Sequence, residues 1–516
     1  MNRTSASLFG IVALSGVQSV SGVLFSLAAK MPERKPNILV IFADDLGYAD
    51  LSCQGSPDVR TPNIDSLAVN GVRCTAGYVT APQCSPSRAG LMSGCYQQRF
   101  GHEGNPQFPV MLMNGGKTIA DHLKASGYAT AHFGKWHLGF ETAADAPEEI
   151  RTSDDQMLPS QHGFDESFGY ADYIAAAVNG SDIEPALHAY DDRVFARKTA
   201  DFNSRQGDQP FFVYLAFHAP HTQQVDFDNY RSQFPGASDN RVKVLAVMAQ
   251  QDDAVGTVLN CLRDLNLEEK TLIFYISDNG GTLRSEGEDK HFTGSLNTPF
   301  SGDKGTSLEG GIRIPFIMQW KGALPAGETY DRPVSALDVL PTALAAANVS
   351  QLPGVILDGV NILPFLRGQN ATDPHEALFW RWRAEQAIRM GDWKLVRGDG
   401  IKEWRLIDLS TDLAEENDLT ALYPGKATEL LARFEEWVVV LPPVGPSFKD
   451  TTEGDGETVV SGNNDVFNTD FSLAVQSEGV GTPIAVGGTA AEGVAVSALT
   501  AGFFAVCWDC AALQCR

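Results

Sequence analysis

Cys84-Ser85-Pro86-Ser87-Arg88-Ala89-Gly90-Leu91-Met92-Ser93-Gly94 is the stretch in which chemistry-bearing residues stand closest together. Pro86 suits the first turn of a helix, where its missing N–H costs nothing, and Ser85 is a candidate cap. A helix beginning here turns free N–H groups and the positive end of its dipole toward an incoming anion. Arg88 adds a permanent charge with the bidentate geometry that oxyanions accept. Alone, Cys84 reads as a small buried hydrophobe. Beside Arg88 at a helix start it reads as a nucleophile, either chemically modified or linked to a metal as it stands.

Oxygen-bearing side chains cluster at three other places, each just after an apolar run. Asn37-Ile-Leu-Val-Ile-Phe42 leads into Ala43-Asp44-Asp45-Leu46-Gly47. Phe211 to Phe217 leads into His218-Ala219-Pro220-His221, and Thr271 to Ile276 leads into Ser277-Asp278-Asn279-Gly280-Gly281. Each could be an ordinary turn, since Asp, Asn and Gly are turn residues. Together they place adjacent carboxylates at strand ends, where repulsion calls for a cation. Asp44, Asp45, Asp278 and Asn279 offer oxygen only, which favours Ca²⁺ or Mg²⁺ over zinc. Lys135, His137 and Lys304 lie in glycine-bounded stretches, Gly134-Lys-Trp-His-Leu-Gly139 and Lys304-Gly-Thr306. Singly, such lysines are solvated and such histidines structural.

These residues need a frame. Continuous apolar runs, also found at Ala129 to Phe133 and Ile314 to Trp320, suit strands buried on both faces. Helices are expected from Thr61-Pro62 to Gly71, from Thr118 to Ser126, from about Arg241 to Leu265, and from Ser335 to Ala347. Strands alternating with helices imply an α/β sandwich with a mainly parallel sheet, whose ligands bind at the carboxyl ends of the strands. After about residue 370 the pattern shifts to short strands at Ala377 to Trp382, Trp393 to Val396 and Trp404 to Asp408, then a helix from Lys426 to Val439. That reads as a small α+β C-terminal domain. The expected division is a leader over 1–30, a catalytic domain over 31–372, the small domain over 373–446, and a linker-like tail of unknown role over 447–516.

In the order of their motifs the residues resemble the type I sulfatase family of the alkaline-phosphatase-like superfamily. Cys84-Ser85-Pro86-Ser87-Arg88 with Leu91 and Gly94 is similar to the family signature, whose cysteine is oxidised to formylglycine by a formylglycine-generating enzyme. Asp44-Asp45-Leu46-Gly47 and Asp278-Asn279-Gly280 resemble its two metal motifs. Gly134 to Gly139, Ala219-Pro220-His221, and Lys304-Gly305-Thr306 with Glu309-Gly-Gly-Ile-Arg313 resemble its basic motifs. The resemblance spans about residues 36 to 440. It implies an alkaline-phosphatase-like sandwich and a sulfuric ester hydrolase acting on aryl sulfate or sulfated carbohydrate. Asp44, Asp45, Asp278 and Asn279, with modified Cys84, would hold Ca²⁺ or Mg²⁺. Arg88, Lys135 and Lys304 would bind sulfate oxygens, His137 would act as base, and His221, or Lys304, as acid toward the leaving oxygen. His218 is weaker, a candidate for supporting the site. The chain departs from the family after His221, where Thr222-Gln223-Gln224 stands in place of a proline-containing stretch. Gln223 and Gln224 are therefore candidates to touch substrate.

Composition sets outer bounds. The 516 residues are 43% hydrophobic and 20% charged, enough for a large core, and the net charge of -25 argues against nucleic acid or an anionic membrane as partner. Arg3, the apolar stretch Leu8 to Phe25, and Ala28-Ala29 read as an export signal, pointing to a periplasmic or extracellular protein. Neither that stretch nor Gly493 to Trp508 makes a clear membrane span. The eight cysteines form no paired CxxC units. Arg99, His102, Glu103, His188, His291, Arg381 and Arg383 are candidates for shaping substrate choice. Two further readings compete: a phosphoesterase or phosphonate monoester hydrolase of the same superfamily, and a non-catalytic sulfated-glycan-binding protein.

Overall fold

Alternate residues of one apolar run serve two different cores. The computed structural model describes residues 35–104, 117–139, 158–169, 192–221, 231–232, 234, 236–283 and 294–443. In chain order its main sheet holds β1 (Asn37–Asp44), β2 (Val72–Tyr78), β3 (Ala129–Gly134), β4 (Glu166–Phe168), β5 (Phe211–Pro220), β6 (Thr271–Ser277), β7 (Arg313–Gln319), β8 (Glu328–Tyr330) and β9 (Val334–Ser335). A second sheet holds β10 (Leu378–Trp382), β11 (Glu385–Met390), β12 (Trp393–Gly398) and β13 (Ile401–Asp408). The α-helices are α1 (Pro62–Val69), α2 (Cys84–Ser93), α3 (Ile119–Lys124), α4 (Asp192–Arg205), α5 (Asp239–Asp264), α6 (Glu309–Ile312), α7 (Val339–Ala347), α8 (Leu363–Leu366) and α9 (Pro424–Val439).

On β1, Ile38, Val40 and Phe42 face a core shared with Leu91 of α2, Leu123 of α3 and Leu340 of α7. Leu39, Ile41 and Ala43 face the opposite core, with Leu67 of α1, Phe195 of α4 and Val255 of α5. A strand with helices on both faces has no solvated side, which is why its sequence is apolar without alternation. This is the mainly parallel, alkaline-phosphatase-like sandwich. Its strand order is β4-β3-β5-β1-β6-β7-β2-β8, with β9 beside β2. From β4 to β6 neighbours run parallel, while β7 is antiparallel to both β6 and β2.

Register decides where the polar strand ends go. Asp44 pairs with Pro220 across β1 and β5, and Ala43 with Ser277 across β1 and β6. The residues that follow, Asp45, His221 and Asp278, therefore emerge at one edge of the sheet. Beside this body the second sheet, order β10-β11-β12-β13, is antiparallel. It packs Ile388, Leu395 and Leu406 against Leu430 and Phe434 of α9.

Most elements read from periodicity are present, with shifted ends. The helix expected from Thr118 to Ser126 is shorter, Ile119–Lys124, because Thr118 is its N-cap in a reciprocal box with Asp121. The helix expected from Ser335 to Ala347 opens as a 3₁₀ turn, Ala336–Asp338, before becoming α-helical. Ser85 does not cap α2. The N-cap is Gln83, with no side-chain cap bond, and Ser85 lies inside the first turn. Sequence periodicity gives no sign of β2, β4, β8, β9, β11, α4, α6 or α8. The leader over 1–30, the tail over 447–516, Gln223, Gln224, His188 and His291 lie outside the described residues.

Candidate active site

Asp45 and His137 adopt left-handed backbone conformations, with φ of 62° and 57°. Non-glycine residues take up such angles where surrounding structure overrides local preference, often at functional sites. The turn after β3 has a related demand. A side chain at Gly134 would fall on the carbonyl oxygen of Ala216 in β5, so glycine lets Lys135 leave the sheet tightly against its neighbour.

These turns gather a buried cluster. One ligand atom from each of Asp44, Asp45, Cys84 and Asp278 falls within a mutual 4.8 Å. The Cys84 Sγ stands 3.4 Å from Asp44 Oδ1 and 3.7 Å from Asp45 Oδ1. The Asn279 amide nitrogen donates to Asp45 Oδ1 at 2.7 Å, while its Oδ1 is buried with no hydrogen-bond partner. A buried acceptor without a donor is costly, and a cation is one way to satisfy it. Four oxygen-bearing side chains with that orphan among them fit a hard divalent ion.

Three cations stand against three carboxylates. Lys135 Nζ is 2.6 Å from Asp44 Oδ2, Lys304 Nζ is 2.8 Å from Asp45 Oδ2, and Arg88 Nη2 is 2.7 Å from Asp278 Oδ2. The side chains thus balance, and a divalent ion would leave net positive charge for an anionic substrate. Burial raises Asp44, but Lys135, His221 and Arg88 hold it well below the carboxylate range. Burial and the Asp44 charge push Asp278 up to about 7 against Arg88. Burial also raises the Cys84 thiol, helped by Asp278.

The candidates divide by exposure. The side chains of Lys135, Lys304 and His221 remain 11%, 13% and 18% exposed, whereas Arg88 and Asp278 are fully buried. Arg88 also donates to the Tyr214 hydroxyl and the Lys135 carbonyl, each at 3.2 Å, and stacks over Phe42. Arg88, expected on sulfate, is set in this structure against Asp278 and the Lys135 carbonyl. His221 Nε2 lies 3.6 Å from Asp45 Oδ2, and burial pulls its pKa to about 3 although Asp45 opposes this. His137 is lowered well below its usual value by burial and Lys135. Its carbonyl accepts from Ser85 Oγ at 2.7 Å.

Several contributors were missed in the sequence. The Thr282 hydroxyl donates to Asp45 Oδ2 at 3.2 Å, a role signalled only by its place just after Gly280-Gly281. Asp192, heading α4, accepts from the backbone of His218 and Ala219 at 2.9 and 3.2 Å, fixing the end of β5. No strand-end pattern marks it. Among the substrate-choice candidates, His102 pairs with Ser85 Oγ, Arg99 with Asp358 and Arg381 with Glu103, while Arg383 stacks on Trp382.

Such a fold, carrying a cysteine among metal-type carboxylates and flanked by two lysines, defines a hydrolase of anionic esters. The chain belongs to the sulfatase family: residues 36–349 match the Sulfatase family model. Residues 301–436 match the model of the N-sulphoglucosamine sulphohydrolase C-terminal region. It is 34% identical to arylsulfatase A of Homo sapiens over 410 residues, covering 72% of this chain and 77% of that one. It is 31% identical to the N-acetylgalactosamine-6-sulfatase of Canis lupus familiaris over 404 residues, 71% and 73% of the two chains. The crystal structure of Ps i-CgsB in complex with k-i-k-neocarrahexaose superposes with a TM-score of 0.69 at 30% identity, covering 80% of this chain and 94% of that one. The protein is a sulfuric ester hydrolase of the type I sulfatase family.

Proposed function

We propose that this sulfatase is exported, depends on formylglycine made from Cys84, binds one Ca²⁺ or Mg²⁺, and removes sulfate from sulfated carbohydrate. The observation that carries the proposal is Cys84 itself, set at the start of α2 within 3.4 Å of Asp44 and followed by Ser-Pro-Ser-Arg. The carbohydrate reading is supported by the similarity to Ps i-CgsB, whose structure is a complex with k-i-k-neocarrahexaose.

Asp44, Asp45, Asp278 and Asn279 would hold the ion, which would draw charge from a sulfate oxygen and lower the pKa of an oxygen bound to it. Hydrated formylglycine at position 84 would supply two hydroxyls on one carbon: one, having lost its proton, would bond to sulfur as the S–O bond to the alcohol breaks, and the other would serve to expel sulfate. Lys135 and Lys304, at the exposed side of the cluster, offset charge on the sulfate oxygens. His221 delivers a proton to the leaving oxygen, with Lys304 as the alternative donor; the anionic substrate works against the burial that lowers His221. His137 would take the proton of the second hydroxyl, so that the C–O bond to sulfate breaks, inorganic sulfate leaves and the aldehyde is restored. Neither a plain thiol nor a plain alcohol has a second hydroxyl to use.

The test co-expresses the chain with a formylglycine-generating enzyme and follows the Cys84 peptide by mass spectrometry. Activity should track conversion to the aldehyde, and elemental analysis should find about one Ca²⁺ or Mg²⁺ per chain, lost in Asp278→Ala. Full activity from unmodified Cys84, stoichiometric zinc, or faster turnover of phosphate than sulfate esters would overturn the proposal.

A further inference from the structure

Part of the second sheet lies beside the site. Trp382 pairs with Glu385 across the β10–β11 turn, whose first residue, Arg383, has a left-handed φ of 55°. β10 is held to the segments on both sides of α2: the Trp380 indole N–H donates to the Val79 carbonyl at 2.6 Å, and the Gln98 amide to the Arg381 carbonyl at 2.8 Å. Trp382 follows directly. A Cβ on Gly305 would stand 3.9 Å from Cη2 and Cζ3 of Trp382 and 3.7 Å from Gln83 Nε2. Gly305 follows Lys304 and Gln83 precedes Cys84, so the indole sits beside both loops that carry these residues.

Two features of this corner are unused by the chemistry described above. The Trp382 Nε1 is buried with no hydrogen-bond partner. The Arg383 guanidinium lies over the Trp382 ring at 4.9 Å, with the residue exposed. Arg99 and Arg381 are each neutralised by a bound carboxylate, Asp358 and Glu103 respectively. Arg383 has no carboxylate partner among the described residues. An arginine that keeps its charge, in a chain of net charge -25 and next to an anion site, is placed to recognise a second anion.

We propose that Trp382 and Arg383 form a substrate subsite, Trp382 a platform for a sugar ring and Arg383 the ligand of a second anionic group on that sugar or its neighbour. The indole's apolar surface suits the apolar face of a sugar ring. The guanidinium suits a sulfate or a carboxylate, which share charge and planar or near-planar oxygen pairs. This inference rests on the sulfated-carbohydrate reading and narrows it to substrates carrying more than one negative charge.

The test uses the mature full chain with para-nitrophenyl sulfate as reporter. Inhibition of its turnover is measured with a singly sulfated galactoside, its disulfated counterpart, and a sulfated hexosamine linked to a uronic acid. Wild type should bind at least one doubly anionic sugar about tenfold or more better than the singly sulfated one, the scale of one charge-assisted hydrogen bond. Arg383→Ala should abolish that preference, and Arg383→Lys should restore part of it. Trp382→Ala should weaken all the sugars alike. Which of the two doubly anionic sugars is preferred distinguishes sulfate from carboxylate as the second group. Competition by the sugars without any preference that depends on Arg383 would overturn the subsite alone. No competition by any sugar, with reporter turnover intact, would overturn the carbohydrate reading and the subsite with it.

Discussion

At the scale of single residues, the site divides into groups that keep some exposure and groups that are sealed. Lys135, Lys304 and His221 keep partly exposed side chains at the cluster, while Arg88 is fully buried and braces Asp278. The division separates two kinds of loss. A proton donor matters most when the leaving oxygen is a poor leaving group, as in a sugar alcohol, and little when it is an activated phenol. His221→Ala should therefore reduce kcat/KM on a sugar sulfate roughly 10²- to 10⁴-fold more than on an aryl sulfate, the usual worth of general acid catalysis. Arg88→Ala should damage both substrates alike, because Asp278 and the Lys135 turn serve both. Equal losses on the two substrates in His221→Ala would transfer the proton to Lys304.

At the scale of elements, the loop carrying Lys304 is fastened from the second sheet. The Ser307 amide donates to Glu385 of β11 at 2.8 Å, and the Glu309 amide to Glu415 at 2.6 Å. Lys394 of β12 lies 2.8 Å from Glu309 and 2.9 Å from Glu415, all fully buried. Burial raises Glu309, but Lys394 and Arg313 hold it at about 2, so it stays ionised. Removing one partner of such a network strands the others in a medium that cannot solvate them. Lys394→Met should cost roughly 3–5 kcal/mol of stability, read as a lower denaturant midpoint. It should also lower kcat by loosening the Lys304 loop. An unchanged midpoint would mean that the two carboxylates find other partners or take up protons at little cost.

At the scale of the whole molecule, a second tie joins the segment before β10 to the main body. His375 Nε2 lies 2.9 Å from both oxygens of Asp338, and Asp338 also accepts from the Ser335 and Val360 amides, each at 2.8 Å. Burial lowers the His375 pKa, but the Asp338 charge more than offsets it, and the net shift is upward. A raised folded pKa adds stability that is fully present below the unfolded value, about 6.5, and is lost as pH rises through the folded value. His375→Gln should therefore lower the melting temperature clearly at about pH 5.5 and little at about pH 9. A loss equal at both values would assign the tie to packing instead of charge.

Local sequence was enough to determine the strands that form the sheet's middle and what stands at their ends. An apolar run without alternation has few alternatives to a strand buried on both faces, so β1, β5 and β6 were legible, and with them Asp44, Asp45, His221, Asp278 and Asn279. Short or half-buried strands carry no such signature. β2 alternates only in part, β8 and β9 have three and two residues, and β11 mixes charged and apolar positions because Glu385 and Arg389 bond to the Ser307 amide and the Tyr78 hydroxyl. Tertiary structure alone decided who partners whom. Arg88 reads from sequence as an anion ligand, and the fold sets it, fully buried, against Asp278. Arg99, Arg381 and Arg383 look equivalent in sequence, yet Asp358 and Glu103, both distant in the chain from the arginines they meet, pair with two of them, while the third stands over Trp382 with no carboxylate partner among the described residues. Thr282 and Asp192 acquire their roles from register and from a helix start far along the chain. The physical reason is common to all of these: residue type and spacing fix local conformation and the chemistry on offer, whereas the charge a side chain has left to use depends on neighbours that only the fold supplies.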